Sequence, residues 1–223
     1  MVRTLTRSKA RWYYDRFGAK QDQQGFYEDR PLERLIKLGK FSEAQGVLEF
    51  GCGTGRLAEQ LLKIHLPATA NYVGIDLSST MVRLATDRLA VFGDRHQVMS
   101  SEGGFELGRY GDSFDRIVAT YVLDLLSPNE IQQFLTGAHA TLAKGGLLCV
   151  AGLTKGTGVI STSISTIWTL IHRINPAWVG GCRPLELADT MPQDQWQLIQ
   201  REVVVASGIP SEVVIAVARD VPS

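Results

Sequence analysis

No run of apolar residues in this 223-residue chain reaches the roughly 18 that a helix needs to cross a bilayer, so a helical membrane span is excluded. Net charge is missing too. The 23 Lys and Arg balance 23 Asp and Glu, which leaves no basic excess for non-specific nucleic-acid binding, and no nucleic-acid partner is expected. Cysteine is sparse: Cys52, Cys149 and Cys182 are odd in number and form no Cys-x-x-Cys pair, which fits reduced thiols and a cytoplasmic protein. The four histidines, His65, His96, His139 and His172, have no metal-ligand spacing, so no metal is expected. No repeat or low-complexity tract divides the chain, whose length suits one α/β domain. The first eleven residues hold Arg3, Arg7, Lys9 and Arg11 without an acid, as organelle transit peptides do, although a solvated basic arm is commoner in so short a segment.

What is present is concentrated at residues 47–55, Val-Leu-Glu-Phe-Gly-Cys-Gly-Thr-Gly. A short apolar run meets glycine at every second position, and a helix pattern starts at Arg56 with Leu57, Leu61 and Leu62 on one side. Alternate glycines between a strand and a helix make a turn whose bare backbone a ligand can approach closely. A second apolar run, Tyr72-Val73-Gly74-Ile75-Asp76, ends in an acid 21 positions beyond Gly55. That is near the spacing at which a βαβ nucleotide fold sets a carboxylate on ribose hydroxyls. A nicotinamide fingerprint would need a small residue where Arg56 stands, and Glu49 would repel a pyrophosphate but welcome an amino group. A Walker-type loop is excluded, because no Gly-Lys-Ser or Gly-Lys-Thr follows.

Glu49-x-Gly51-x-Gly53-x-Gly55 with Asp76 downstream resembles motif I of class I S-adenosylmethionine-dependent methyltransferases. Residues 112–120, Asp-Ser-Phe-Asp-Arg-Ile-Val-Ala-Thr, are similar to the family's motif II, and Leu147-Leu148-Cys149-Val150 to its motif III. The resemblance spans about residues 45–219. It implies S-adenosyl-L-methionine as cofactor and a Rossmann-like, doubly wound, three-layer α/β/α fold. The implied sheet has seven strands in the order 3-2-1-4-5-7-6, the last antiparallel. The cofactor shell it implies is Glu49, Gly51, Cys52, Gly53, Thr54, Gly55, Asp76, Leu77, Met81, Glu102, Thr120 and Tyr121. In that shell Glu49 takes the amino group, Asp76 the ribose and Glu102 the adenine amino group.

Elsewhere, Ser79–Leu89 has helical spacing, a third strand is expected around Val98-Met99, and Ser127-Pro128-Asn129-Glu130 is a capping box that starts a further helix. Lys144-Gly145-Gly146 is expected to stop that helix, and Gln197–Ala206 and Glu212–Val217 read as strands joined through Ser207–Pro210. Residues 1–44 are expected to form an N-terminal helical lid or arm, and 45–223 the cofactor-binding domain, with a substrate-side insertion at about 154–186.

Methyl transfer from a sulfonium is a direct displacement, so positioning supplies most of the catalysis. Tyr14, Tyr121 and Asp124 are the candidates for a catalytic role, and Tyr14, Tyr27, Trp168, Arg173 and Arg183 for substrate contact. Ile160, Ile164, Ile167, Trp168 and Ile171 fall on one helical face; this suits a small or lipid-like acceptor or peripheral contact with a membrane, while packing on the core is the commoner origin of such a stripe. The Tyr13-Tyr14-Asp15 segment and the layout are similar to ubiquinone and menaquinone C-methyltransferases and to soluble phospholipid N-methyltransferases. The quinone enzymes' Tyr-Asp-x-Met-Asn is replaced here by Tyr14-Asp15-Arg16-Phe17-Gly18. The expected activity is methyl transfer to a small or lipophilic acceptor; a non-catalytic binding module on the same fold is the alternative, and a nicotinamide enzyme a third reading.

Overall fold

Strand and helix alternate along the chain in the computed structural model, which describes residues 4–101, 104–110 and 114–219. Two helices, α1 (Arg7–Phe17) and α2 (Gly25–Leu38), precede the first strand. There follow β1 (Gly46–Phe50), α3 (Arg56–Gln60), β2 (Asn71–Asp76), α4 (Ser79–Leu89), β3 (His96–Ser100) and β4 (Phe114–Thr120). The chain then runs through α5 (Pro128–Thr141), β5 (Leu142–Leu153), α6 (Val159–Ile174), α7 (Leu187–Thr190), β6 (Trp196–Ala206) and β7 (Ile209–Ala218).

The seven strands form one sheet in the order β3-β2-β1-β4-β5-β7-β6, as the sequence resemblance implies. β1 to β5 pair in parallel, and β7 lies antiparallel to both β5 and β6. Successive side chains of a strand point to opposite faces, and here they feed two separate cores. Leu48, Ile117, Leu148 and Val214 pack with Phe134 and Leu135 of α5. Val47, Val118, Cys149 and Ile215 pack with Leu35 and Ile36 of α2 and with Leu57 and Leu61 beyond the glycine loop. A sheet buried on both faces is the expected consequence of parallel strands with helical crossovers.

The capping box forms as read: Ser127 Oγ accepts from Glu130 N, and Glu130 Oε2 accepts from Ser127 N at 3.0 Å. The helix begun at Arg56 runs on from α3 through a π turn over Leu61–His65 and ends at Leu66. Two boundaries differ from the sequence reading. β5 begins at Leu142 rather than Leu147, because Leu142 already pairs with Phe114 and the intervening Lys144-Gly145-Gly146 bulge out of β5 opposite the step from Phe114 to Arg116. β7 begins at Ile209, so only Ser207-Gly208 remain as the turn, and Pro210 sits in the ladder opposite Val205. Buried Arg116 of β4 donates to Gly39 O at 2.7 Å and Lys40 O at 2.9 Å, which fastens the end of α2 to the sheet. Among the described residues no helix is long and apolar enough to cross a membrane.

Candidate functional site

The parallel strands β1, β2 and β4 end at one edge of the sheet, and there the glycine loop turns. Gly51 has φ +77°, and a β-carbon on it would stand 2.8 Å from the Val122 side chain, so the left-handed backbone and the close approach both require glycine. The amides of Gly51 and Cys52 donate to Ile75 O at 2.8 and 3.1 Å. The next free amide, Gly53 N, donates to Asp76 Oδ2 at 2.9 Å, while Ser78 N donates to Asp76 Oδ1 at 2.8 Å. One carboxylate thus ties the loop after β1 to the start of α4, whose first turn Ser78 also caps through Met81 N. Burial pushes Asp76 up to about 6, and the two amide hydrogen bonds oppose that rise. Each oxygen keeps a lone pair for a further donor.

Asp76, Gly51, Leu77, Met81, Thr120, Tyr121 and Tyr14 all line one cavity of about 120 Å3, together with Phe50, Ser101 and Phe105. A smaller cavity of about 40 Å3 lies beside it, and Glu49, Gly51, Cys52, Thr54, Thr120 and Tyr121 line that one. Glu49 is 1 % exposed and accepts a 2.6 Å hydrogen bond from Tyr72 Oη. Its burial, with the charge of Asp76 adding, pushes it up to about 8 despite that bond.

Gln21 lines both cavities. Its side chain lies over the glycine loop, so that a β-carbon at Gly53 would be 2.8 Å from Gln21 Oε1. That oxygen is buried and has no hydrogen-bond partner among the described residues, a costly state that a ligand donor would relieve. Asp22 beside it accepts from Thr54 Oγ1 at 2.6 Å and pairs with Arg88. Glu28, buried and paired with Arg56, is pushed up to about 7 by burial against the pull of that arginine. Sequence reasoning gave no role to Gln21, Asp22 or Glu28; Arg56 was read only as too large for a pyrophosphate turn, and its ion pairs are long-range.

The helix α1 lies along the rim of the larger cavity. Arg7 Nε reaches Glu130 at 3.2 Å, Arg11 Nε donates to Leu77 O at 3.1 Å, and Asp15 accepts from Ser78 Oγ at 2.6 Å and Thr80 N at 3.2 Å. Tyr14 points inward and donates to Gly180 O at 3.3 Å, close to Cys182 Sγ. Tyr121 has φ +52°, a conformation rare for an aromatic residue; its hydroxyl donates to Ser211 Oγ at 3.0 Å and its ring meets Tyr27 edge-on.

The other candidates stand away from these cavities. Gly53 and Gly55 shape the loop without lining either cavity. Asp124 is fully buried behind Leu125: Oδ2 accepts from Leu153 N at 3.4 Å, Oδ1 has no partner among the described residues, and burial pushes the group up to about 7. Arg183 donates to the backbone carbonyls of Asp124 and Leu126 at 2.9 and 2.5 Å. Tyr27 packs with Leu153, Cys182 and Ala206, and Trp168 packs on the same cluster with its indole N–H donated to Cys182 O at 3.0 Å. Arg173 is exposed on α6, and Glu102 lies outside the described residues. The expected stripe on α6 also divides: Ile160 and Ile167 face solvent, Ile164 approaches Gly208, and Ser161, Ser165 and His172 are buried. The thiols of Cys52, Cys149 and Cys182 are all buried, and burial raises each of them, Cys149 to about 12.

Residues 47–146 match the model of a methyltransferase domain family. Over 106 residues the chain is 32 % identical to an uncharacterized methyltransferase of Anoxybacillus flavithermus, a match covering 47 % of this chain and 45 % of that protein. Over 108 residues it is 33 % identical to a carboxy-S-adenosyl-L-methionine synthase of Trichodesmium erythraeum, covering 47 % and 41 %. The chain therefore spans less than half the length of these relatives. Among solved structures, magnesium protoporphyrin IX methyltransferase of Synechocystis, with S-adenosylmethionine bound, superposes with a TM-score of 0.58 at 16 % identity over 89 % of this chain and 80 % of that one. The likeness in structure is one of fold. Over residues 47–146 the chain is thus similar to the methyltransferase domain family, and its sheet order is that of the Rossmann-like methyltransferase fold.

Proposed function

We propose that the protein binds S-adenosylmethionine at the carboxyl edge of β1, β2 and β4 and transfers its methyl group to a small or lipophilic acceptor. The observation that carries this reading is the single carboxylate, Asp76, which both holds Gly53 of the glycine loop and lines the larger cavity. Asp76 would accept from the ribose hydroxyls, Leu77 and Met81 would offer apolar surface to the adenine, and Glu49 would meet the amino group of the methionine part. Gln21 Oε1 supplies an acceptor for one further donor, which makes the cradle fit a ligand of this polarity. The cofactor's sulfonium would supply the methyl group; the residues' part is to fix its orientation and keep water away. Tyr14 and Tyr121, which line the larger cavity, would border the acceptor, and their ring faces suit a cation.

Calorimetry with S-adenosylhomocysteine tests the binding half of the proposal. The wild type should bind in the micromolar range, and Asp76→Ala, which removes an acceptor for ligand and loop alike, should weaken binding about tenfold to a hundredfold. No heat at high micromolar ligand, or an Asp76→Ala variant that binds like wild type, would refute it. Transfer of label from the cofactor into a cell extract then separates an enzyme from a non-catalytic module of the same fold.

A further inference from the structure

The amphipathic helix α6 is inverted. Its inward side carries Ser161, Ser165 and His172, while Ile160, Ile167, Leu170 and Ile174 are between 52 % and 72 % exposed and fall within one arc of the helix. Val159 and Trp178 at its two ends are exposed at 86 % and 68 %. Isolated apolar residues on a surface are ordinary, but an aligned row along a helix of about 24 Å is a patch. The buried serines are satisfied locally, Ser161 Oγ at Gly158 and Ser165 Oγ at Gly156 N and Thr162 O, so the inversion is built into the fold.

Arg173 is an exposed cation on α6, whereas Lys155 ahead of the helix pairs with Glu186 and Arg183 is buried on the carbonyls of Asp124 and Leu126. α1 adjoins the segment after α6, for Tyr14 Oη donates to Gly180 O and a β-carbon at Gly180 would touch the Tyr13 ring at 3.4 Å. On α1 the exposed residues Lys9, Trp12 and Arg16 share a face, with the Arg16 guanidinium 5.0 Å from the Trp12 ring centre. Two exposed tryptophans, Trp12 and Trp178, thus flank the α1 junction beside an aliphatic row bordered by cations. We propose that this face docks the protein on an anionic lipid surface, with α6 lying in the plane of the interface.

The physical case is the match of two terms. Aliphatic side chains enter the acyl boundary, tryptophan prefers the headgroup level, and lysine and arginine are drawn to anionic headgroups. A second copy of the chain meeting the same patch across a two-fold axis would set basic rims against each other, which favours lipid over self-association. The surface ends beside the larger cavity, since Leu5 and Leu125, which line that cavity, are the side chains a β-carbon at Gly181 would meet. An acceptor dissolved in the lipid would then have a short path to the site.

Flotation of the full chain with vesicles tests the docking without cofactor, so a failed S-adenosylhomocysteine calorimetry leaves this result standing on its own. With phosphatidylcholine and phosphatidylglycerol in roughly a two-to-one ratio the protein should float, and with phosphatidylcholine alone it should not. Leu170→Glu with Ile174→Glu changes only exposed residues; it should keep the wild-type melting temperature and bind vesicles about tenfold more weakly or worse. Lys9→Glu with Arg16→Glu should weaken binding in the same direction, as should added salt. The proposal is overturned by absent or charge-independent vesicle binding, by either folded variant binding like wild type, or by a solution dimer that the Leu170→Glu, Ile174→Glu variant dissociates.

Discussion

Replacing Glu49 with glutamine should make the empty protein more stable while making it bind its cofactor less well. Glu49 is buried and its carboxyl titrates near 8 in the fold, against an ordinary 4.5. A raised folded-state value means that the native protein holds the proton over a range where the unfolded chain has lost it. The stability this contributes is full below pH 4.5 and drains away as pH rises toward 8. At pH 7 the gap of 2.5 units corresponds to about 3 kcal/mol. Glutamine keeps the shape and an acceptor for Tyr72 Oη, but carries no proton to lose. The variant should therefore match wild type near pH 4 and exceed it by up to about 3 kcal/mol at pH 7. For a chain of this size each kcal/mol moves the melting temperature by roughly 2–4 °C. Urea unfolding at pH 4, 5, 6, 7 and 8, with calorimetry on S-adenosylhomocysteine at pH 7, measures both sides. A stability difference that does not grow with pH, or a glutamine variant that binds the ligand as wild type does, would refute the reasoning.

Gln21→Met removes the buried orphan acceptor and should raise the stability of the empty protein by about 1 kcal/mol while weakening S-adenosylhomocysteine several-fold, read by thermal unfolding with and without ligand. Gly51→Ala forces a left-handed alanine against Val122, and should cost about 2 kcal/mol or more and abolish calorimetric binding. Arg183→Met leaves the buried carbonyls of Asp124 and Leu126 without their donor and should cost about 2 kcal/mol in denaturant unfolding, because unsatisfied buried acceptors are destabilising.

Much of the fold was legible because its signals are local. Capping at Ser127, the glycine loop before Arg56 and the acid closing β2 each depend on residues within a few positions of one another, and the near-continuous apolar runs of β1, β4 and β5 mark strands buried on both faces. The strand order came from the resemblance, since periodicity does not encode neighbours. Boundaries failed where pairing overrode composition: Gly145 and Gly146 look like a stop, yet the ladder to β4 starts before them at Leu142. Around the two cavities Glu49, Gly51, Cys52, Thr54 and Asp76 come from short local patterns, whereas Gln21 and Asp22 arrive from a polar stretch with no pattern of its own. α6 misled for a related reason. Helical spacing showed an apolar stripe, but which arc faces inward was decided by Trp168 and His172 meeting the 181–182 segment, and the isoleucines were left outside.

The three thiols give the protein an internal clock. Only a thiolate reacts readily with an alkylating reagent, and burial both hides these sulfurs and holds their protons. Cys149 lies in the interior strand β5, so its labelling must wait for global unfolding. Cys182 sits under Tyr14 of α1 and against Tyr27 and Trp168, outside the sheet, so local opening of these helices would uncover it while the sheet stays intact. The labelling rate of Cys182 should exceed that of Cys149, and the logarithm of the ratio of the two rates gives the free energy of that local opening relative to melting the whole chain.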